Sequence, residues 1–386
     1  MSEHLEVEVE RILPGGMGLA HAGGKTVFVA LAAPGDRVRV RVEREQGNVL
    51  FASIVEIITP SPVRIEPPCP YFGRCGGCDF QQLTYEAQLA AKSEMIRDCL
   101  HRIARLENVP DIVVTPSPKD WRYRMRATWQ IDQEQRTIGY YERGSRRVCD
   151  VVDCAVLQPE LQAKLEEVRA TERHQFPPDL KHLDVVAGEN GVSLAPEFAD
   201  FETSELSLTV RGEVYRYNAK AFFQINPSLL GPLIDFALAG APGENALDLY
   251  SGVGLFTLPL ARSFKQVLGV ESNAVASRFA RRNLQDAGLI NARVITAGVA
   301  DWFRSAPVRN VDFILLDPPR AGAESEVIKG MLDLHPPHIS YVSCDPATLA
   351  RDLRKLFAAG YRIESIGAFD LFPQTHHVET VVRLTA

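Results

Sequence analysis

The stretch NALDLYSGVGLFTLPLA, residues 245–261, decides the fold of this chain, because an apolar run leads through a glycine-containing turn into a helical pattern. The same alternation continues beyond it, with four further apolar runs and helical segments such as 275–284 and 347–358. Short apolar runs that alternate with helices predict a doubly wound α/β domain with a mainly parallel sheet. The four further runs are QVLGVE (266–271), NARVIT (291–296), VDFILLD (311–317) and ISYVSC (339–344).

The first turn of this domain has the features of a nucleoside site. Gly252 and Gly254 let the backbone approach a ligand closely at the carboxyl end of the sheet. Glu271 ends the next strand, 17 residues after Gly254, where a carboxylate can accept hydrogen bonds from both hydroxyls of a ribose. Thr257 occupies the third glycine position of a dinucleotide fingerprint, and no basic residue is nearby. These features favour a nucleoside without phosphates, of which S-adenosylmethionine is the common one.

Two later strand ends carry reactive side chains. Asp317 leaves a buried strand into a rigid Pro-Pro turn, which holds its carboxylate at the sheet edge. Amino-methyltransferases have a similar turn followed by an aromatic residue, but Arg320 follows here, which argues against attack by an exocyclic amine. Cys344 ends the next strand at the start of a helix, whose N-terminal amides favour a thiolate. A lone cysteine is usually a small buried hydrophobe, but this position beside the predicted methyl donor favours a nucleophile.

A cysteine nucleophile is what methyl transfer to pyrimidine C5 requires. That carbon becomes nucleophilic only after a thiolate adds to C6 and forms an enolate that attacks the methyl group. A base must then remove the C5 proton so that the cysteine is released. The stretch FPQTHHVETVV (372–382) supplies Glu379 for this step, because burial raises a carboxyl pKa into a useful range. His376 and His377 are the alternatives.

The N-terminal 60 residues predict a small β-barrel. Apolar and acidic residues alternate over 5–10, RVRVRVE alternates again over 37–43, and Gly-rich turns separate the short runs. This pattern is typical of an OB-like barrel, a fold often used on oligonucleotides, although a generic small β domain also fits it. The proline-rich stretch TPSPVRIEPP (59–68) then forms a linker.

The charge total and the charge distribution point in different directions. The 386 residues include 42 Lys and Arg against 49 Asp and Glu, a formal net charge of −7 that weighs against a nucleic-acid partner. The segment 119–147 is locally basic, because its eight Lys and Arg exceed its four Asp and Glu by four, and five Trp and Tyr lie among them. Cations with aromatic platforms suit single-stranded nucleic acid. The alternative is an amphipathic strand whose arginines lie on the solvent-exposed face.

Cysteine usage indicates a metal site in a reducing compartment. Three of the seven cysteines fall within CPYFGRCGGC (69–78), and such clustering in a cytosolic protein favours metal or cluster ligands over a disulfide. The stretch MSEHLEVEVE (1–10) has neither a basic nor an apolar signal segment, and the longest uncharged runs are too short to span a bilayer. We therefore expect a cytoplasmic protein without membrane association.

In combination, these motifs resemble the bacterial RNA 5-methyluridine methyltransferases that carry an iron–sulfur cluster, over essentially the whole chain. The resemblance implies a class I, Rossmann-like S-adenosylmethionine methyltransferase domain, an N-terminal TRAM barrel, and a central, mostly β domain that carries the cluster. The implied division is 1–60 for the barrel, 61–83 with 112–220 for the central domain, and 84–111 with 221–386 for the methyltransferase domain.

The resemblance also implies the ligands of a [4Fe-4S] cluster. CPYFGRCGGCDFQQL, with the spacing C-x5-C-x2-C, is similar to the family's cluster-binding stretch, and CAVLQP (154–159) is similar to the segment that holds the fourth ligand. Cysteine spacing alone also allows zinc, so the resemblance is what favours the cluster. The implied ligands are Cys69, Cys75, Cys78 and, in preference to the competing Cys149, Cys154.

Further site residues are implied by the same resemblance. In FFQIN (222–226), Phe222 is implied as a stacking partner of the target base and Gln224 as a cofactor contact. Leu255 and Gly298 depart from the family, in which asparagines often contact the cofactor, so those two contacts do not carry over. The other matched positions are Tyr250, Glu271 and Asp317 for the cofactor, Cys344 for the nucleophile and Glu379 for the base.

Members of this family act on 23S ribosomal RNA or on the T-loop of transfer RNA. A TRAM domain together with the cluster points to the ribosomal branch, because the transfer-RNA members of many bacteria lack both. We therefore expect a monomer that forms 5-methyluridine in 23S ribosomal RNA, with a transfer-RNA uridine as the alternative. Two other classes of function are a small-molecule methyltransferase and a non-catalytic RNA-binding assembly factor on the same scaffold.

Overall fold

The structure of the protein, a computed structural model, describes residues 4–172, 175–241, 243–305 and 310–386. Residues 1–3, part of the N-terminal stretch interpreted above, lie outside the described residues. Among the helices of the described ranges, none combines the length and the hydropathy that a membrane crossing requires.

The N-terminal part is a closed β-barrel. β1 pairs with β5, whereas β2, which continues β1 along the chain, pairs with β3, so the two edges of the sheet meet in one stretch of chain. Val7 and Val38 fill the interior, while Arg39 between the β5 valines lies outside and pairs with Glu6 and Glu56. The barrel prediction is confirmed. Its strands are β1 (His4–Glu8), β2 (Arg11–Ile12), β3 (Gly18–Ala22), β4 (Lys25–Ala30), β5 (Arg37–Gln46) and β6 (Val49–Thr59).

A long helix and a short strand follow the proline-rich linker. The helix is α1 (Tyr85–Arg102) and the strand is β7 (Val114–Thr115). Thr84 is the N-cap of α1, and its hydroxyl accepts a hydrogen bond from the Ala87 amide. In the sequence, the helical spacing of the apolar residues Leu89, Ile96, Leu100 and Ile103 predicts one helix over 84–106. The helix is confirmed, but its regular part ends at Arg102.

The central part consists mainly of strands. Five of them form a sheet in the order β10-β9-β8-β11-β12, and two more form a separate hairpin, β13-β14. The helix α2 packs its buried face on this sheet. The elements are β8 (Arg126–Asp132), β9 (Thr137–Tyr141), β10 (Val148–Asp150), α2 (Pro159–Ala170), β11 (His182–Gly188), β12 (Gly191–Ala195), β13 (Leu206–Val210) and β14 (Glu213–Tyr217).

The basic segment 119–147 does not form the expected row of aromatic platforms. Trp129 and Tyr123 are fully buried and belong to the protein interior. The guanidinium of Arg126 donates to the backbone carbonyls of Ala221 and Ala219 at 2.8 and 3.1 Å instead of facing solvent. The platform interpretation is wrong for these two aromatic residues. In β8 the side chains alternate between a buried and a more exposed face, and Trp129 lies on the buried face. Tyr123 precedes β8 and is buried with its hydroxyl on the Pro373 carbonyl.

The C-terminal part is an α/β layer built on eight strands. Its order is β17-β16-β15-β18-β19-β21-β20-β7, in which β15 to β19 are parallel and β21 is antiparallel to both of its neighbours. The elements are α3 (Leu230–Leu238), β15 (Asn245–Leu249), α4 (Thr257–Ser263), β16 (Gln266–Glu271), α5 (Ala274–Asp286), β17 (Ala292–Thr296), α6 (Val299–Ser305), β18 (Phe313–Leu316), α7 (Ser325–Leu334), β19 (His338–Ser343), α8 (Pro346–Ala358), β20 (Arg362–Phe369) and β21 (Glu379–Thr385).

Helices cover both faces of this sheet. Apolar residues of α3, α4 and α5 pack on one face, and those of α1, α6, α7 and α8 pack on the other. The sheet therefore has the doubly wound arrangement that the sequence predicts, with the change of winding direction between β15 and β18. In such sheets a ligand cleft opens beyond the carboxyl ends of the strands at this point.

Candidate active site

A cleft of about 960 Å³ opens beyond the carboxyl ends of β15, β16, β18 and β19. It brings together residues from strand ends that are far apart in the sequence, together with the loop before α3. Of the predicted site residues, it is lined by Phe222, Gln224, Tyr250, Gly252, Glu271, Asp317, Cys344 and Glu379.

The nucleoside end of the cleft is organised around Glu271. One carboxylate oxygen accepts from the Gly252 amide at 2.9 Å, and the other accepts from the Asn273 amide at 2.6 Å. Asn273 also begins α5, because its side chain accepts from the amides of Val275 and Ala276. The carboxylate is thus fixed at the wall of the cleft by two backbone donors and keeps lone pairs for the hydroxyls of a ribose.

The turn after β15 contains residues with positive φ, a backbone conformation that glycine adopts readily. Tyr250 has φ 64° and Gly252 has φ 55°, so the chain turns sharply around the cleft. A Cβ on Gly254 would lie 3.0 Å from Leu258 and 3.6 Å from Ala280, so this glycine permits close packing of the turn. Gly254 itself does not line the cleft, and its predicted cofactor contact stays a prediction.

Gln224 and Asp317 meet across the cleft. The Gln224 amide donates to Asp317 Oδ2 at 3.3 Å, which joins the loop before α3 to the end of β18. Burial raises the pKa of the Asp317 carboxyl. Tyr250 also lines the cleft, but its hydroxyl is directed to the backbone of Glu324. The Gln224 amide and the Asp317 carboxyl are therefore the polar groups placed here to contact a bound ligand.

Cys344 and Glu379 lie side by side because of the strand register. β19 and β21 are antiparallel neighbours whose last pair is Ser343 with Thr380. Cys344 is the residue after β19 and Glu379 is the first residue of β21, so each lies one position beyond that pair. Both side chains line the cleft, and Glu379 is 2% exposed. The predicted nucleophile and the predicted base are therefore brought together at one edge of the sheet.

The surroundings raise the pKa of both the predicted nucleophile and the predicted base. Burial, followed by the neighbouring Glu379, raises the pKa of the Cys344 thiol to about 12. Burial, followed by Asp317, also raises the pKa of Glu379, while Arg320 opposes this shift. The expectation that the amides of α8 favour a thiolate is wrong, because the Asp345 side chain accepts from the first free amides of that helix, those of Ala347 and Thr348.

The two histidines occupy a different environment. His376 is hydrogen-bonded to Asp79 through its backbone amide and its ring, and neither histidine lines the cleft. Burial, followed by His376, lowers the pKa of His377 to about 3. The geometry therefore favours Glu379 over the histidines as the base.

Phe222 offers an exposed ring at the entrance of the cleft. Its side chain is 60% exposed, and the Arg126 guanidinium lies 5.6 Å from the ring centroid on one side. An aromatic ring that is supported on one face and open on the other is suited to stacking on a base.

The cleft is also lined by residues that the sequence analysis does not assign to it, among them Arg320 and Phe372. In the sequence Arg320 argues only against an amine substrate, but in the structure its positive charge opposes the rise in the pKa of Cys344 and of Glu379. Phe372 lines the wall beside them, and only its position seven residues before Glu379 could have signalled this.

The four cysteines implied as ligands line one small cavity of the central part. Cys69, Cys75 and Cys78 come from the loop before α1, and Cys154 comes from the loop before α2. Cys149 does not line this cavity, and its sulfur accepts from Arg74 at 3.3 Å instead. The structure thus brings together the predicted set and separates the competing cysteine from it.

The cavity wall carries two buried polar groups. Arg124 Nε has no hydrogen-bond partner among the described residues, and the Tyr140 hydroxyl lies against the Cys154 thiol. A cationic donor and a hydroxyl beside four thiols fit an anionic group held by thiolates. Within the described ranges, however, no three His, Cys, Asp or Glu side chains stand where they could hold a metal ion, so the cluster stays a prediction.

The topology and the position of the cleft define the class I methyltransferase fold. Comparison with known proteins narrows this class. Residues 157–386 match the family described as tRNA (uracil-5-)-methyltransferase, and residues 5–63 match the TRAM domain of tRNA (uracil(54)-C(5))-methyltransferase. The chain therefore belongs to the tRNA (uracil-5-)-methyltransferase family and begins with a TRAM barrel.

Individual relatives cover almost the whole chain. The 23S rRNA (uracil(1939)-C(5))-methyltransferase RlmD of Vibrio parahaemolyticus is 32% identical, over 98% of this chain and 95% of that protein. An uncharacterised RNA methyltransferase of Gloeobacter violaceus is 33% identical over the same shares. Among solved structures, the Pyrococcus abyssi tRNA (uracil-54, C5)-methyltransferase in complex with S-adenosyl-L-homocysteine superposes with a TM-score of 0.77 at 26% identity, over 99% of this chain and 100% of that one.

Proposed function

We propose that the protein uses S-adenosylmethionine to convert a uridine of 23S ribosomal RNA to 5-methyluridine. The observation that carries this proposal is that Cys344 and Glu379, each one position beyond the last pair of β19 and β21, line the same cleft as the Glu271 carboxylate. A nucleophile and a base beside a nucleoside site suit methylation of pyrimidine C5. Methylation of an amine or a hydroxyl has no use for the nucleophile.

In the proposed reaction, Phe222 stacks on a uridine that has been flipped out of its RNA. The Cys344 thiolate forms a bond to C6, and the displaced π electrons form an enolate at O4. C5 then forms a bond to the methyl carbon of S-adenosylmethionine, which Gln224 and Glu271 would hold. The O4 carbonyl re-forms, the bond between the methyl carbon and sulfur breaks, and S-adenosylhomocysteine is the leaving group. The Glu379 carboxylate then takes the C5 proton, the C5–C6 double bond re-forms, and the Cys344 thiolate leaves.

Both reacting groups must lose a proton before they act. Because burial raises the pKa of Cys344 and of Glu379, the ionised fraction of each rises with pH. We therefore expect the single-turnover rate to increase from slightly acidic to alkaline pH.

Two variants test the mechanism with tritiated S-adenosylmethionine and an RNA transcript. Cys344→Ala removes the nucleophile and should abolish methyl transfer. Glu379→Gln keeps the nucleophile but lacks the base, so addition and methylation proceed and elimination fails. It should accumulate a denaturation-resistant protein–RNA adduct that carries the label. Methyl transfer by Cys344→Ala would refute the mechanism.

The choice of RNA rests on the relatives. Ribosomal RNA is supported by the RlmD proteins, which match along nearly their whole length. Transfer RNA is the second candidate, because the similar Pyrococcus abyssi structure is a tRNA methyltransferase. Methylation of matched 23S and tRNA transcripts, followed by mass-spectrometric mapping, distinguishes them. A small-molecule methyltransferase would turn over without either RNA, and an assembly factor would bind RNA without turnover.

We also propose that Cys69, Cys75, Cys78 and Cys154 hold a [4Fe-4S] cluster. The support is the shared cavity, together with the unpartnered Arg124 Nε and the Tyr140 hydroxyl in its wall. The cluster's role in this proposal is structural, since its ligands would join the loop before α1 to the central strands.

The cluster proposal is tested by anaerobic purification. The wild-type protein should be brown with about four iron atoms per chain. Cys154→Ser should lose most of this iron, whereas Cys149→Ser, a matched variant outside the cavity, should keep it. A colourless protein with one zinc ion would refute the cluster and leave the methylation proposal intact.

The remaining expectations stay proposals. The support for assigning 84–111 to the methyltransferase domain is that α1 packs against α8. A monomer in the cytoplasm is proposed on the sequence alone, and light scattering of the purified protein tests the oligomeric state.

A further inference from the structure

The segment 370–378 leads from β20 to the strand that carries Glu379, and other parts of the protein hold it along its length. Lys92 of α1 donates to Asp370 Oδ1 at 2.5 Å and to the Phe372 carbonyl at 3.1 Å. Both charged side chains of this pair are completely buried. The start of the segment is therefore fixed to α1 by an ion pair that water does not reach.

The middle of the segment is held by amide and hydroxyl groups. Gln88 of α1 and Gln374 exchange two hydrogen bonds, since the Gln88 amide donates to Gln374 Oε1 at 3.0 Å and Gln88 Oε1 accepts from the Gln374 backbone amide at 2.9 Å. The Tyr123 hydroxyl donates to the Pro373 carbonyl at 2.9 Å. These contacts come from α1 and from the central part.

The residue directly after the cysteine motif holds the end of the segment. Asp79 accepts from the His376 backbone amide at 2.8 Å, and its second oxygen lies 2.5 Å from His376 Nδ1. These two hydrogen bonds, the latch, lie three residues before Glu379. The backbone amides of Asp79 and Phe80 add two bonds to the Gln374 carbonyl, at 3.1 and 3.0 Å.

Gly16, in the turn between β2 and β3 of the barrel, packs against both residues of the latch. Gly16 has φ +80°, and a Cβ there would lie 3.0 Å from His376 Cβ and 3.2 Å from Asp79 Oδ2. The barrel, the cysteine loop and the segment before β21 therefore meet at one place, which lies outside the catalytic cleft.

We propose that Asp79 is a positioning residue for the base. The latch fixes the chain immediately before β21 and thereby sets the position of Glu379 relative to the C5 proton. Cys344 enters the cleft from β19, which the latch does not contact, so addition and methyl transfer depend on Asp79 far less than elimination does. This inference rests on the proposed methylation, and it assigns the cysteine loop a part in one step of it.

The test compares two rates: the rate at which the methylated protein–RNA adduct forms and the rate at which it releases methylated RNA. With labelled S-adenosylmethionine and RNA in single turnover, Asp79→Ala should form the methylated adduct at nearly the wild-type rate. It should then release methylated RNA about 10- to 100-fold more slowly, because a small misplacement of a catalytic group has effects of this size. Adduct should therefore accumulate. Asp79→Asn keeps one accepting oxygen for the His376 amide and should show an intermediate defect.

The matched control is Asp312→Asn. Asp312 also accepts from two backbone amides, those of Glu244 and Asn245 at 2.7 and 2.9 Å, but it lies at the opposite end of the sheet from the cleft. Asp312→Asn should lower thermal stability by an amount similar to that of the Asp79 variants. It should leave the rates of adduct formation and adduct release unchanged. Iron content, measured in every variant, separates a positioning defect from loss of metal.

A double-variant cycle keeps the test decisive if stability falls. His376→Ala removes the ring bond of the latch and keeps the backbone amide bond to Asp79, so it should have the milder defect of the two single variants. If Asp79 acts through the latch, Asp79→Ala/His376→Ala should release product no more slowly than Asp79→Ala. Equal slowing of adduct formation and release in Asp79→Ala would overturn the positioning role. If Glu379→Gln itself accumulates no adduct, the proposed methylation fails instead, and the two failures remain distinguishable.

Discussion

Replacing Lys92 should destabilise the protein far more than replacing an exposed lysine. Its ammonium and the Asp370 carboxylate are both 0% exposed, and its second bond holds the carbonyl of Phe372 in the cleft wall. Lys92→Met leaves Asp370 as a buried charge without a partner, which costs about 3–5 kcal/mol. For a domain of this size, that corresponds to a melting temperature lower by roughly 10 °C.

Thermal unfolding of the purified variants measures this effect. Lys92→Met/Asp370→Asn removes both charges and should recover more than half of the loss, because a buried pair is often close to neutral when both members are replaced. Lys25→Met is the control. Its partner Glu45 is half-exposed, so its loss should change stability by less than about 1 kcal/mol. The reasoning is refuted if Lys92→Met melts within 2 °C of the control, as a rough limit, or if the double variant melts no higher than Lys92→Met.

Three further variants test other parts of the structure. Burial raises the pKa of Asp248 from 3.8 to about 7, so its native form binds protons more tightly and stability falls as pH rises between these values. Asp248→Asn should therefore be more stable than wild type at pH 8, by up to about 4 kcal/mol, and lose this advantage near pH 4 in denaturant titrations. Gly16→Ala places a Cβ against His376 and Asp79, so it should slow adduct release in addition to straining the backbone. Gly15→Ala is the control: it has open space around it, so it should only lower the free energy of unfolding by about 1–2 kcal/mol through backbone strain. Arg126→Lys lacks the planar fork that donates to the carbonyls of Ala221 and Ala219, so it should hold the neighbouring Phe222 ring less firmly. We expect the KM for RNA to rise about tenfold and the KM for S-adenosylmethionine to stay unchanged.

The α/β layer could be predicted because its strands are continuous apolar runs. A parallel strand that is covered on both faces must be apolar throughout, and the runs that end at Glu271, Asp317 and Cys344 show this pattern. Since parallel strands place their carboxyl ends together, the same pattern predicts that these three side chains share one cleft. The structure confirms this for all three.

Properties that depend on distant contacts could not be predicted. The amides at the start of α8 look available to Cys344 in the sequence, but whether Asp345 turns back to cap them depends on a side-chain torsion. The burial of Trp129 depends on what covers each face of its sheet, and local charge patterning does not reveal this. Asp79 and His376 are almost 300 residues apart, so no local pattern could link them.

The place of β21 between β19 and β20 makes the predicted catalytic pair depend on one strand contact. β19 and β20 are successive strands, yet they cannot pair directly, because β21 occupies the position between them. Cys344 follows β19 and Glu379 begins β21, so the thiol and the carboxyl come from two strands that are paired with each other. A change that loosens the pairing of β21 with β19 should therefore separate the two side chains, even where the parallel strands β15 to β19 stay paired.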